Sequence, residues 1–228
     1  PPKAEEVTEA GEQGEKAFEL LQEKTAPKIS GGSGCFPAGT EVLTESGPRA
    51  IETIVPGTAV LAHDFATGEW VTAKVLRLYS YPYKGEIITI RSSAGTIRAT
   101  ENHPFYVLRG RQLVARPIPH DVCREETTPA GTTGRWVAAG ELKKGDLLKT
   151  KNGGDVTITG LSRSRKKLEV YNLGIESYHN YAVHQMGLLV HNKGGAEEKT
   201  KSVVTVFGRV ILEYYERSIV GAANADAL

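Results

Sequence analysis

Short apolar runs recur between residues 40 and 190, and turn-forming residues separate them. The runs are rich in Val, Ile, Thr and aromatic residues, which favour strands, while Gly, Pro, Asn and Asp occupy the gaps. The predicted strands are 41–44, 50–54, 59–62, 70–78, 86–90, 95–100, 105–107, 136–138, 147–149, 156–158, 169–173, 181–183 and 188–190. Many short strands at this spacing predict an all-β sandwich or barrel-like fold.

Three stretches break this pattern. Residues 109–134 lack periodicity and are predicted to be a long loop or insertion. Residues 1–34 are acidic and too poor in apolar residues to build a core, so they are predicted to be an N-terminal flank. A linker-like segment begins a C-terminal flank, 193–228, in which residues 203–220 fit either a helix or a hairpin. The predicted domain is therefore 35–192.

The β-rich block contains a weak internal repeat. Residues 50–60 and 138–148 each carry two apolar positions three apart, then a glycine turn and an apolar strand. Each copy leads on to a histidine, His103 in the first and His179 in the second. This predicts duplicated halves about a pseudo-two-fold axis, with chance similarity of short strands as the alternative.

Composition narrows the function classes. The formal net charge is +1 with acids and bases mixed, so no nucleic-acid partner is predicted. No apolar run is long enough to cross a bilayer, so no membrane partner is predicted either, and localisation stays open. Two cysteines make no disulfide framework, and no ligand pair has the spacing of a structural zinc site. No metal and no cofactor are predicted.

Four separated segments carry a family resemblance. They are Cys35-Phe36-Pro37-Ala38-Gly39-Thr40, Thr100-Glu101-Asn102-His103-Pro104, Val170-Tyr171-Asn172-Leu173 through His179-Asn180-Tyr181, and Val190-His191-Asn192. These segments resemble the conserved blocks of the Hint superfamily, which comprises inteins, bacterial intein-like domains and hedgehog autoprocessing domains. The turn pattern most resembles bacterial intein-like and pretoxin Hint domains. The resemblance implies the Hint fold and self-cleavage of the chain.

At the first junction, Cys35 is placed to attack the carbonyl of Gly34, which moves the acyl group from nitrogen to sulfur. Gly34 removes side-chain bulk before the nucleophile. An imidazole that titrates near neutrality could give a proton to the departing nitrogen, and the resemblance assigns this role to His103. It assigns Thr100 the role of holding the scissile region. The alternative interpretation of the 100–104 segment is a polar turn.

At the second junction, the side-chain amide of Asn192 can attack its own carbonyl, close a succinimide and expel Lys193. The resemblance implies that His191 polarises this carbonyl and that His179 carries a proton. The alternative is a strand-ending turn in which the asparagine adopts a left-handed conformation.

Two positions depart from the family pattern. Lys193 lacks the hydroxyl or thiol that follows the terminal asparagine of splicing inteins, so cleavage is favoured over splicing. Asn172 stands where many inteins carry aspartate, and an amide cannot ionise, which weakens any base or thiol-tuning role there. The expected substrate is the flanking polypeptide of a monomer, with water or small thiols as acyl acceptor.

Two other functions stay open. A thiol hydrolase using Cys35, His103 and an asparagine would act in trans on outside substrates and turn over repeatedly. An inactive β scaffold would only present its flanks. The leading hypothesis differs from both, because it is a single-turnover reaction in cis and not a multiple-turnover enzyme.

Overall fold

The computed structural model describes residues 34–124, 127–154 and 156–192 with their side chains, and the backbone of 200–206 and 209–216. These residues contain fourteen strands, two 3₁₀ turns and no α-helix. The predicted all-β class is confirmed. Residues 1–33, which make up nearly all of the predicted N-terminal flank, lie outside the described residues, as does much of the C-terminal flank.

Twelve strands form one antiparallel sheet. They are β1 (Phe36–Pro37), β2 (Glu41–Thr44), β3 (Gly47–Ala50), β4 (Ala59–His63), β5 (Trp70–Ser92), β6 (Gly95–Thr100), β7 (Pro104–Arg109), β8 (Arg135–Ala138), β9 (Leu147–Leu148), β10 (Val156–Ile175), β11 (Asn180–Val183) and β12 (Leu188–His191). Their order is β1-β10-β9-β7-β12-β11-β2-β4-β5-β6, with β3 on β2 and β8 on β7. Because β10 also pairs with β5, the sheet closes back on itself around its core.

Two long strands replace four predicted short ones. The predicted strands 70–78 and 86–90 are both parts of β5, and 156–158 and 169–173 are both parts of β10. The sequence prediction left residues 79–85 out of any strand, yet Pro82, within that gap, pairs with Glu169 inside the ribbon. The middle of β5, between the part that pairs with β4 and the part that pairs with β6, has β10 as its only partner strand among the described residues. A proline is tolerated there because its missing N–H faces an open edge.

The predicted strand 50–54 is wrong. Ile51–Thr53 form a 3₁₀ turn, and the Thr53 hydroxyl closes it by donating to the Ala50 carbonyl at 2.7 Å. Ile51 and Ile54 are both fully buried. Their spacing of three matches the three-residue period of a 3₁₀ turn, so both side chains reach the core from one short segment.

The predicted repeat is visible in the backbone. A second 3₁₀ turn, Ala139–Glu141, follows β8 as the first follows β3. Ala50 and Ala138 precede the two turns with φ/ψ of −62°/134° and −61°/144°. Gly57 and Gly145 then take positive φ of 86° and 89°, a conformation that favours glycine. The long strands that come next, β5 and β10, pair with each other, so the two copies face one another across the ribbon.

The described residues of the 109–134 segment contain no strand beyond the end of β7, as predicted, but buried charged side chains tie this segment to the sheet. Arg116 binds the Asp146 carboxylate through both terminal nitrogens, and the two side chains are 2% and 1% exposed. The Arg135 guanidinium donates to the carbonyls of Leu113 at 3.1 Å and Val114 at 2.7 Å. The loop is therefore held at defined points.

The described part of the C-terminal flank is a hairpin. Strand β13 (Thr200–Val206) pairs antiparallel with β14 (Arg209–Glu216). Of the two structures left open for 203–220, the hairpin is correct for these residues. Among the described residues, no helix has the length and apolar character needed to cross a bilayer.

Asp146→Ala should destabilise the fold by about 3–5 kcal/mol, because it leaves the Arg116 guanidinium buried without its counter-charge. Glu86→Gln is the matched control: Glu86 pairs with Arg163 at 3.0 Å on the surface, with side chains 32% and 53% exposed, and should cost less than about 1 kcal/mol. Both losses of stability are measured by urea unfolding, with each substitution made in a Cys35→Ala, Asn192→Ala chain that lacks both candidate nucleophiles. Equal losses would contradict the prediction.

Candidate active site

The first junction is buried where β1 meets β6 and β10. Cys35 is 2% exposed, and no disulfide joins it to Cys123, which lies on the surface. The Cys35 N–H donates to the Thr100 hydroxyl oxygen at 2.8 Å. The Cys35 carbonyl in turn accepts from the Thr100 N–H at 2.9 Å and from its hydroxyl at 3.2 Å. Thr100 therefore holds both main-chain groups of the cysteine.

Asn172 binds the carbonyl that Cys35 would attack. Its Nδ2 donates to the Gly34 oxygen at 2.6 Å. Its Oδ1 accepts from the Leu173 N–H at 2.8 Å and the Tyr181 hydroxyl at 2.9 Å. Burial, followed by the charge of an ionised Cys35, raises the pKa of Tyr181 well above its usual value, so this phenol remains a donor. Two donors on Oδ1 fix the amide orientation and direct Nδ2 towards the carbonyl.

His103 packs directly against Gly34. A methyl group at Gly34 would lie 2.6 Å from the His103 Cα and 2.9 Å from Nδ1, which excludes any side chain there. The imidazole also packs on Phe36, with ring centroids 4.0 Å apart. Neither ring nitrogen has a hydrogen-bond partner among the described residues. The imidazole is thus at the junction with both nitrogens uncommitted.

Burial lowers the pKa of His103 from 6.5 to about 3, and the charge of His191 acts in the same direction. The polar backbone of Gly34 opposes this shift, although its contact with the ring falls short of a hydrogen bond. The expectation that this imidazole titrates near neutrality is therefore wrong for the folded chain. His103 is neutral at pH 7, a form that can accept a proton before it gives one back.

The second junction is equally buried. Asn192 is 1% exposed, and neither Oδ1 nor Nδ2 has a hydrogen-bond partner among the described residues. Its N–H donates to the His179 carbonyl at 3.0 Å. Its carbonyl oxygen contacts His191 Nδ1 in a short hydrogen bond, in which the ring N–H is the donor. The main chain of Asn192 is thus held while its side-chain amide remains uncommitted.

His179 lies beside His191, with nearly parallel rings whose centroids are 6.5 Å apart. His179 adopts a positive φ of 51°, which is uncommon outside glycine, and its Nδ1 is buried without a partner among the described residues. Trp136 packs edge-on against His191 at 5.1 Å. All three rings line one cavity of about 320 Å³ together with Tyr178. The cavity therefore connects the imidazoles of His179 and His191, which both lie at the second junction.

Strand β7 brings the two junctions together. His103 immediately precedes β7, and Phe105 in β7 pairs with Val190 in β12, two residues before Asn192. The His103 and His191 imidazoles are close enough for the charge of one to affect the pKa of the other. All six residues with predicted chemical roles, Cys35, Thr100, His103, His179, His191 and Asn192, therefore lie at one or other of two neighbouring junctions.

Three residues at the site had no role in the sequence prediction. Tyr181 orients Asn172, and Asn180 bonds the His63 N–H at 2.7 Å and carbonyl at 2.9 Å, which secures the start of β11. Tyr181 and Asn180 both lie inside the segment His179-Asn180-Tyr181 that carries the family resemblance, so that segment was a signal for them. Asp121 accepts the Gly34 N–H at 2.8 Å from within the long loop. No pattern in the sequence pointed to it.

Comparison with known proteins agrees with this geometry. The family model of the pretoxin Hint domain matches residues 121–193. A bacterial intein-like domain from Clostridium thermocellum is 29% identical, with a TM-score of 0.55, and the match covers 69% of this chain and 98% of that one. The chain therefore has the Hint fold, and its residues 121–193 match the model of a Hint family.

Other solved structures support the Hint fold. A DnaB intein from Synechocystis sp. PCC 6803 is 20% identical with a TM-score of 0.52, over 70% of this chain and 99% of that one. The Ssp DnaB mini-intein variant M86 is 17% identical with a TM-score of 0.54, over 75% of this chain and all of that one. No curated protein matches the chain. The pretoxin Hint match and the intein-like structure support autoprocessing at the level of the family that this chain resembles.

No group of three or more His, Cys, Asp or Glu side chains in the described part of the chain is arranged to hold a metal ion. His63 is a packing residue: burial, then the charge of Lys149, lowers its pKa to about 4. Its Nδ1 lies 2.9 Å from the Glu69 carbonyl oxygen.

The domain should lose stability as the pH falls below about 6.5. Between that value and the folded pKa of about 3, His103 binds a proton in the unfolded chain but not in the folded one. His103→Gln should remove up to roughly 1 kcal/mol per pH unit of this slope. Urea unfolding of the Cys35→Ala, Asn192→Ala chain from pH 7 to pH 5 tests this, a range in which most carboxylates stay ionised. Parallel curves for the two chains would contradict it.

Proposed function

We propose that this chain is a single-turnover autoprocessing domain that cuts its own backbone at Gly34–Cys35 and Asn192–Lys193. The observation that carries the proposal is the hydrogen bond from Asn172 to the Gly34 carbonyl, next to a buried thiol. A preorganised donor on that oxygen stabilises the charge that develops when the carbonyl is attacked. In this proposal the domain is 35–192, and residues 1–34 and 193–228 are the flanks that it separates.

The first step is transfer of the Gly34 acyl group from nitrogen to sulfur. Neutral His103 takes the thiol proton, Sγ bonds to the Gly34 carbon, and the oxyanion is held by Asn172. The carbon–nitrogen bond then breaks, and His103 returns the proton to the Cys35 nitrogen. Thr100 keeps that nitrogen in place. Such proximity can be equivalent to a local concentration on the order of 10⁵ M or more.

Water or a small thiol then attacks the thioester and releases the upstream segment. Splicing would instead need a nucleophile after the second junction. Lys193 offers no hydroxyl or thiol, so the first residue after the second junction supplies no side-chain acceptor of that kind for the acyl group. Cleavage is therefore favoured over splicing. The 2% exposure of Cys35 and its position beside its own Gly34 also argue for action in cis, not on outside substrates.

The second reaction is cyclisation of Asn192. Its Nδ2 attacks its own carbonyl carbon, the bond to the Lys193 nitrogen breaks, and a proton from Nδ2 passes to that nitrogen. His191 polarises the carbonyl through its Nδ1–H. His179, which lies beside His191, carries the proton. An uncommitted, buried amide favours the reaction because no competing hydrogen bond has to be broken first.

Intact-mass spectrometry of the purified chain over time should show fragments that end at Gly34 and begin at Lys193, with dithiothreitol accelerating the first cut. Cys35→Ala should abolish only the first cut, and Asn192→Ala only the second, because each removes one nucleophile. Both rates should be first order and unchanged by dilution. Rates that rise with concentration would support a hydrolase in trans, and a chain intact for days would support an inactive scaffold.

Asn172→Asp should slow the first cut, although many related domains carry aspartate at this position. The carboxylate would remove the hydrogen-bond donor to the Gly34 oxygen. It would also place a negative charge beside the one that develops on that oxygen during attack. We expect a loss on the order of 10²-fold, typical for removal of an oxyanion donor, and a similar loss for Asn172→Ala. The second cut in the same molecules is the control. Acceleration by the aspartate would show that residue 172 acts as a base and not as a donor.

A further inference from the structure

The long loop between β7 and β8 reaches the first junction through one carboxylate. Asp121 Oδ2 accepts the Gly34 N–H at 2.8 Å, and the Asp121 side chain is only 13% exposed. Its other oxygen lies 3.2 Å from Nδ1 of His120, which is 80% exposed. The bond to Gly34 is charge-assisted, which makes it stronger than a hydrogen bond between neutral groups.

Asp121 is carried on a fixed support. The next residue, Val122, is 6% exposed and packs into a small apolar cluster with Tyr106, Trp136 and Leu189. Earlier in the loop, Arg116 is anchored to the sheet by its buried ion pair with Asp146. The carboxylate position is therefore set by the packed domain and not by a freely moving loop.

Both polar groups of the scissile peptide, the Gly34 carbonyl and the Cys35 N–H, are hydrogen-bonded. Asp121 binds the Gly34 N–H, which belongs to the peptide immediately upstream. Asn172 binds the Gly34 carbonyl, and Thr100 binds the Cys35 N–H and carbonyl. Both of these residues act at or after the bond to be cut. Among the described residues, only Asp121 makes a side-chain hydrogen bond to the Gly34 N–H.

The contact with Asp121 matters because residue 34 is a glycine. The approach of His103 excludes a side chain at this position, so the residue before the cut must be glycine. Glycine has the greatest backbone freedom of all residues and loses the most entropy when it is ordered. An external group has to restrict its rotation if the carbonyl is to stay in line with the thiol.

We propose that Asp121 is a positioning residue for the cut at Gly34–Cys35. It orders the Gly34 backbone and so keeps the carbonyl between the Cys35 sulfur and the Asn172 amide. The contact is made to main chain, so it is independent of the side chains upstream. This inference rests on the proposed function, because it assigns Asp121 a part in the first of the two cuts.

The test compares variants of the full chain by the rates of both cuts. Asp121→Ala should slow the first cut on the order of 10- to 100-fold, the loss expected when a reacting group is misplaced by about an ångström. Asp121→Asn should recover much of the rate, because its Oδ1 can still accept the Gly34 N–H. The second cut should change less than about twofold in both variants, which excludes a general loss of fold. His120→Ala is the matched control and should leave both rates unchanged.

A second measurement does not depend on cleavage. In a Cys35→Ala chain labelled with ¹⁵N-glycine, Asp121→Ala should shift the Gly34 amide resonance upfield through loss of the charge-assisted hydrogen bond, and His120→Ala should not. If the parent cuts at Gly34 and Asp121→Ala cuts equally fast, the role of Asp121 is overturned and the proposed function stands. If the parent makes no cut at Gly34, both are overturned, and the resonance then reports only whether the contact exists.

Discussion

The antiparallel register of β10 is the constraint on which both halves of the domain depend. This strand pairs with β5 along almost its full length and, near its end, with β1, where Phe36 faces Tyr171. Because side chains alternate along a strand, a shift of one residue would turn Asn172 away from the Gly34 carbonyl. The pairing that joins the two copies of the repeat thus also sets the hydrogen bond at the candidate reaction centre.

Burial determines the chemistry available at that centre. His103 is fully buried and neutral at pH 7, so it enters a reaction as a proton acceptor and not as an imidazolium donor. The same burial leaves its ring nitrogens, and the side-chain amide of Asn192, without partners among the described residues. Unsatisfied buried polar groups cost about 1–3 kcal/mol each. In a self-cleaving domain this cost is consistent with reactive groups held ready for a single use.

Much of the fold could be predicted from the sequence, and the failures have local causes. Apolar runs and turn residues located most of the strands. The segment 50–54 was assigned to a strand because it is a short run with Ile and Thr between turn residues, although Ile51–Thr53 form a 3₁₀ turn. Residues 79–85 were left out of the predicted strands although β5 runs through them, and Pro82 is tolerated there because that part of β5 has an open edge, which is a property of the assembled sheet. The repeat was recognisable because both copies need a glycine at the same positive φ, Gly57 in one and Gly145 in the other.

The sequence by itself determined the kinds of reactive group and their order: a cysteine after glycine, an asparagine after histidine, and a β-rich block between them. Only the tertiary structure decided what surrounds them. Asn172 and Asp121 bind Gly34 across sequence separations of 138 and 87 residues, so no local pattern encodes these contacts. The protonation state of His103 was likewise undetermined, because a pKa depends on desolvation and neighbouring charges that exist only once the chain has folded.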